Sequence, residues 1–313
     1  MYFTPVYNRD AVLSSNEPEI YSASGRRLHV FFISDIGSAH TPYGLSPVEY
    51  ILWDRYNFGL KTHFYDGDEV FLTAGNPDRR FAAIGESRSI IPKSYKRFER
   101  NRSYIENEFD LLFTNDAVLL DTFRNAKFVP YSANYWYGMN DESAISPDNY
   151  QKKDKNISII ASNKTMCRMH LVRQETARRC LREGLADAFG NFAGNSEGSY
   201  VPIELPFQRY RFSIVIENNI TPYYFTEKIT NCFISQTIPV YIGATEIGKF
   251  FNPDGIISIS LPDLDRLEEV LKQCTPEEYE RRLPAVLDNF ERVKEYANPC
   301  DYMYTRYLAG SCS

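Results

Sequence analysis

Five polar residues crowd one short stretch of the chain. Glu217 and Asn218 close an apolar run, and Thr226, Glu227 and Lys228 follow a few residues later. The whole segment, 211–243, reads RFSIVIENNITPYYFTEKITNCFISQTIPVYIG. Lys228 is the telling residue. Thr226 can cap a helix whose apolar positions, Ile229, Cys232 and Phe233, recur at helical spacing. A lysine in the first turn of that helix opposes the macrodipole, so a helix built for stability alone would avoid it. A phosphate ligand would reverse the balance, because backbone N–H groups, the positive helix end and the ammonium would all face one anion.

Two buried strands must position these groups. Residues 212–216 and 238–242 are short apolar runs, as expected for parallel strands covered on both faces. Strand, polar loop, helix start and second strand make a βαβ unit. In open α/β sheets ligands bind at the carboxyl ends of the strands, which places Glu217 and Asn218 at a site.

The same pattern extends along the chain. Strands are expected at 28–36, 69–73, 81–84, 110–114 and 127–131. Helices are expected from Pro47 (with Val48, Ile51, Leu52 and Tyr56 on one face), at 92–106 and at 117–123. Residues 139–156 are polar and lack periodicity, which reads as a linker. A second unit opens with a strand at 156–161, an Arg-rich helix at 165–184 and a strand at 187–190. Helices at 264–273 and 276–296 close it. The expected fold is α/β, with two Rossmann-like domains: 1–150, 151–300, and a tail, 301–313, that can pack back on the first.

The segment ENNITPYYFTEK, followed by IPVYIG and FFNPDGIISI, resembles the signature of the α1,3/4-fucosyltransferases, glycosyltransferase family ten. The resemblance is clear over 157–259 and partial over the first 150 residues. It implies a GT-B architecture, with two Rossmann-like domains facing across a cleft and the nucleotide sugar held by the second. It also implies an inverting glycosyltransferase that moves fucose from GDP-fucose to a glycan hydroxyl in an α1,3-type link. Glu227 then accepts from ribose hydroxyls, Asn218 and Tyr224 approach the nucleotide, and Glu217 faces the transferred sugar. An arginine at the start of the helix after the first strand of the donor domain meets the diphosphate beside Lys228. Arg173 fits that place best, with Arg168 and Lys164 as neighbours that could take it. Arg178, Arg179 and Arg182 read as a solvated helix face. The bland alternative for Glu227 is a first-turn carboxylate that stabilises the helix dipole.

Transfer also needs a base for the acceptor hydroxyl. In RFAAIGESRSIIP, Glu86 follows a strand, and Gly85 permits close backbone approach. The family has a Glu in this Gly-Glu context as its base, so Glu86 is the candidate; an ordinary surface carboxylate is the competing reading, and Asp35 is the runner-up. Asp66-Gly67-Asp68 could hold a divalent metal in a GT-A enzyme, but YDGDEV reads better as a turn between strands. His29, His40, His63 and His170 are scattered and read as packed or surface residues, although His40 could contact an acceptor sugar.

The bulk numbers limit the alternatives. With 313 residues, 43% of them hydrophobic, the chain can bury a sizeable core. A net charge of −6 gives no basic field for nucleic acid. Six Cys without a Cys-x-x-Cys pair read as reduced thiols. No stretch reads as a signal peptide or membrane span, so a cytoplasmic protein is expected. No cofactor or metal is expected beyond the donor substrate, and the partners are a nucleotide sugar and a glycan. Two rivals stay open: the same fold with another donor such as UDP-xylose, and a non-catalytic glycan-binding relative.

Overall fold

The computed structural model describes residues 21–22, 25–34, 48–195 and 201–309. These form two compact units. The first holds the described residues up to Ser132 together with 298–309, and the second runs from Ala133 to Ala297. Asp35 and His40 lie outside the described residues, as does Cys312.

In the first unit, β1 (Tyr21–Ser22) and β2 (Gly25–Arg26) form a small antiparallel pair. The main sheet comprises β3 (Leu28–Ile33), β4 (Ile51–Asp54), β5 (Thr62–Asp66), β6 (Arg79–Ile84), β7 (Leu111–Thr114) and β8 (Ala126–Phe128). All six are parallel, in the order β4-β3-β5-β6-β7-β8. Helices α1 (Pro92–Arg100), α2 (Arg102–Glu108) and α3 (Ala117–Thr122) cover it. Phe31, Tyr65, Ala82, Ile84, Phe98 and Leu112 meet in one core. The last described residues close the unit. The Asp301 carboxylate accepts the N–H groups of Glu49 and Tyr50 at 3.0 to 3.1 Å. Tyr304 stacks on Tyr50 with ring centroids 5.1 Å apart, and the Tyr307 hydroxyl donates to the Phe128 carbonyl at 2.8 Å.

Three expectations fail here. The helix expected from Pro47 is strand β4: Ile51 and Trp53 are buried while Leu52 and Asp54 are half-buried, a period of two. The strand expected at 69–73 is largely a 3₁₀ turn, Gly67–Phe71. The strand that precedes it, β5, escapes notice because Thr62, His63 and Asp66 look polar. They are buried with partners: His63 lies between the Tyr65 hydroxyl at 2.9 Å and the Phe58 carbonyl at 3.0 Å.

The second unit has a five-stranded parallel sheet in the order β10-β9-β11-β12-β13. Its strands are β9 (Lys155–Ile160), β10 (Asp187–Phe189), β11 (Tyr210–Ile216), β12 (Ile238–Ile242) and β13 (Ile257–Ser258). The helices are α4 (Arg168–Glu183), α5 (Glu227–Ile234), α6 (Leu267–Leu271) and α7 (Pro276–Arg292). In the first unit, α8 (Pro299–Met303) begins the closing segment. Both sheets are parallel and helix-covered, an α/β fold.

The stretch read as a linker packs within the second unit instead. The buried Asn231 carboxamide accepts from the N–H groups of Trp136 (2.7 Å) and Tyr137 (2.9 Å). Gln236 donates to the carbonyls of Ser146 and Pro147 and accepts the Tyr150 N–H at 2.6 Å. Gln236 sits at φ 60, a left-handed conformation costing about 1–2 kcal/mol, and these bonds hold it there. Polarity without period marked this segment, yet the buried amides of Gln236 and Asn149 supply partners its backbone needs. The division therefore falls after Ser132 rather than at 150.

Candidate functional site

Strand β11 is the middle of the second sheet, and Phe212–Ile216 within it are all buried. Its backbone pairing continues one step past the strand, where the Glu217 N–H donates to the Ile242 carbonyl at 2.8 Å. Glu217 is fully buried. Its carboxylate accepts the Thr226 N–H at 2.9 Å and the Thr226 hydroxyl at 2.8 Å. Burial pushes its pKa above the usual carboxylate range, against the pull of Lys228, Thr226 and Arg173. The carboxylate thus ties the strand end to the helix start. Gly243 makes room for it: a Cβ there would lie 2.6 Å from Glu217 Cγ and 2.3 Å from the Tyr241 hydroxyl.

Thr226 is the N-cap of α5, and its hydroxyl accepts the Lys228 N–H at 3.3 Å. Phe225, fully buried against the rings of Phe250, Phe251 and Tyr296, fixes the entry to the helix. The Lys228 ammonium donates to the Thr226 hydroxyl at 2.9 Å and to Glu227 Oε1 at 2.8 Å, and lies 3.7 Å from Glu217. Both side chains of the Lys228–Glu227 pair remain partly exposed.

The second helix end comes from α4. Cys167, its N-cap residue, touches the Asn218 carbonyl through sulfur at 3.7 Å. Arg173, two turns into the helix, is 7% exposed. Its Nε donates to the Ile216 carbonyl at 2.7 Å, and Nη2 donates to that carbonyl and to Asn218 Oδ1 (2.8 Å). Burial lowers its pKa, while Glu217, Glu227 and the nearby Tyr224 act to raise it. Tyr224 itself is buried. Arg168 and Lys164 are exposed. Arg178, Arg179 and Arg182 form ion pairs with Glu175 and Glu183 along the helix. The structure thus gathers Arg173, Glu217, Asn218, Tyr224, Thr226, Glu227 and Lys228 around one strand end.

One residue in this group was passed over. His170 lies one helical turn before Arg173 and is 3% exposed. The i, i+3 spacing puts both side chains on one face of α4, which is the signal the sequence offered. A pocket of about 360 Å³ opens at the carboxyl ends of β12 and β13, lined among others by Ile220, Tyr241, Gly243, Ser258 and Leu261.

Glu86 belongs to the first unit. It follows β6, as read, and is half-buried. Its carboxylate accepts the Ser87 N–H at 2.6 Å, and its carbonyl accepts the Tyr95 hydroxyl at 2.7 Å. Gly85 lies against Tyr131, whose ring carbons would be 2.5 Å from a Cβ at this position. Asp66 and Asp68 do not converge on a cation. Asp66 accepts from Ser34 at 2.9 Å, whereas Asp68 accepts from Ser94 at 3.0 Å and pairs with Arg97. Among the described residues no cluster of three or more His, Cys, Asp or Glu could hold a metal, and no helix is long and apolar enough to cross a membrane. Among the described residues the five cysteines are all buried. A larger groove of about 450 Å³, lined by residues such as Glu106, Asp110 and Lys127, lies at the amino ends of β7 and β8. That is the wrong end of a parallel sheet for a ligand.

Residues 150–281 match the family model described as glycosyltransferase family 10 (fucosyltransferase), C-terminal domain. The matched stretch falls within the second unit, Ala133–Ala297. Protein R654 of Acanthamoeba polyphaga mimivirus is 32% identical over 93 residues, which cover 30% of this chain and 15% of that protein. The alpha-(1,3)-fucosyltransferase FucT of Helicobacter pylori is 37% identical over 51 residues, covering 16% of this chain and 11% of that enzyme. The chain thus matches under a fifth of the length of either relative. Among solved structures, an alpha1,3-fucosyltransferase with GDP superposes with a TM-score of 0.52 at 18% or less identity, namely 17%, over 93% of this chain and 97% of that one. At that identity the likeness establishes the fold, which is GT-B-like.

Proposed function

We propose that the chain is an inverting fucosyltransferase that takes fucose from GDP-fucose and forms an α1,3-type link to a glycan hydroxyl. One observation carries the reading. The family 10 match encloses a strand end at which a buried arginine, a lysine and two helix N-termini are held together. Such a group suits a diphosphate leaving group. In this reading Glu86 takes the proton from the acceptor hydroxyl. The acceptor oxygen attacks the anomeric carbon as the bond to the diphosphate oxygen breaks, through an oxocarbenium-like transition state. The electrons of that bond leave with GDP. Lys228 and Arg173, rather than a metal, receive the added charge. Glu227 holds the ribose, and Asn218 and Tyr224 line the nucleotide.

Binding comes first among the tests. Thermal unfolding would be followed with GDP, GDP-fucose, UDP and UDP-xylose, with and without Mn²⁺. A ligand at a hundred times its dissociation constant stabilises by about 2.7 kcal/mol. Stabilisation by GDP and GDP-fucose supports the reading. Stabilisation by UDP compounds alone replaces the donor, and no response to any nucleotide removes the donor site.

A further inference from the structure

We infer that His170 is a further ligand of the nucleotide's diphosphate, donating a hydrogen bond from Nε2–H to a phosphate oxygen. This rests on the donor-site reading above and deepens it. The tautomer follows from geometry. His170 Nδ1 accepts the Met166 N–H at 3.1 Å, so the proton of the neutral ring sits on Nε2. Among the described residues that Nε2–H meets no acceptor, although the side chain is almost wholly buried. That N–H can bond a group outside the protein without giving up a partner within it.

The surroundings say what that is. Arg173, Lys228 and Lys164 all lie close enough to act on the imidazole, and with burial they hold its pKa down to about 4. The ring is therefore uncharged at neutral pH. A neutral donor beside three cations does not add to their mutual repulsion, yet it offers one more N–H among them. The ligand that satisfies all four is an anion with several oxygens, which a nucleoside diphosphate supplies. Arg173 is already committed to the Ile216 carbonyl and Asn218, so it contributes mainly field. His170 contributes an unspent bond.

A purely structural role is the competing account, since the Met166 bond pins the loop before α4. Two substitutions separate the accounts. His170→Asn keeps an acceptor for Met166 but has no donor at the Nε2 position. His170→Gln can place a donor there. GDP affinity is measured by calorimetry for the wild type and both variants, alongside unliganded melting. The expected result is a ten- to hundred-fold loss with His170→Asn at an unchanged melting temperature, partly recovered with His170→Gln. Affinity within two-fold of wild type for a folded His170→Asn overturns the inference. The wild type gives a second readout should that variant fail to fold. The ¹⁵N resonance of His170 Nε2 should move on adding GDP but not guanosine, and no movement at saturating GDP also overturns it. If the wild type binds neither GDP nor UDP, the donor-site reading itself fails and this inference falls with it, before any variant is needed.

Discussion

Replacing Thr226 by valine keeps the side-chain shape and removes one hydroxyl, and that hydroxyl has three duties. It donates to the buried Glu217 carboxylate at 2.8 Å, caps the Lys228 N–H at 3.3 Å, and accepts from the Lys228 ammonium at 2.9 Å. A hydrogen bond to a charged group contributes about 1.5–3 kcal/mol, and a lost N-cap costs about 0.5–2 kcal/mol. The terms overlap, because Glu217 keeps the Thr226 N–H, so the expected loss is about 2–4 kcal/mol at pH 7.5. The pH dependence tests the cause. Burial already raises the Glu217 pKa from its ordinary 4.5, so protonation favours the folded state. Stability from this group is greatest below the unfolded value and is lost as pH rises through the folded one. Thr226→Val removes a donor from the charged form and raises the folded value further. Its penalty should therefore shrink as the pH is lowered toward 4.5. Chemical denaturation at pH 7.5 and pH 5 measures both quantities. Thr226→Ser should lie within about 1 kcal/mol of wild type. A Thr226→Val loss below about 0.5 kcal/mol, or a loss that grows toward acid, would refute this account of the strand end.

Lys228→Ala should cost about 1–3 kcal/mol, since it removes charge-assisted bonds to Glu227 and Thr226 whose loss is offset only in part by removing a cation at a helix N-terminus. GDP affinity should nevertheless fall at least ten-fold by calorimetry. Glu86→Gln should leave GDP affinity unchanged and stop transfer in a product assay; retained transfer would place the base elsewhere. Gly85→Ala must displace Tyr131 and should cost about 1–3 kcal/mol in denaturant melts. Two histidines predict acid sensitivity. Burial lowers the pKa of His63, and burial with nearby cations brings His170 from 6.5 to about 4. A depressed histidine pKa means the unfolded chain binds the proton first, so stability should drop as pH falls from about 6.5 toward 4. His170 contributes to that slope through its depressed value, and His170→Asn should flatten that part of it.

The signature stretch was legible because its signals are local. Parallel strands covered on both faces must be apolar throughout, so 212–216 and 238–242 announce themselves. An N-cap threonine and a first-turn lysine are read from a few adjacent residues. Arg173 followed from resemblance, and the structure places it on the Ile216 carbonyl and Asn218. What failed was non-local. Strand β5 carries His63 and Asp66 in buried positions, and only their partners, Tyr65, Phe58 and Ser34, make that tolerable. The polar segment before β9 was read as a linker because Gln236, some 90 residues later, supplies hydrogen bonds to it. His170 was passed over because a lone histidine on a helix carries no sign of what surrounds it.

The residues of the signature divide by how the fold uses them. Glu217 and Thr226 are bound to each other twice, and the absence of a Cβ at Gly243 makes room for Glu217. Their chemistry is structural: they hold a helix start against a strand end. Lys228 and Glu227 also answer each other, across an ion pair that stays partly exposed. Either partner can be drawn off by a better one. A nucleoside diphosphate offers one to each, phosphate oxygens for the ammonium and ribose hydroxyls for the carboxylate. The spacing of the motif is therefore set by the rigid group, while its selectivity rests with the exchangeable one. That is why a glutamate buried beyond reach of solvent and a lysine at its rim occur together in one short stretch of sequence.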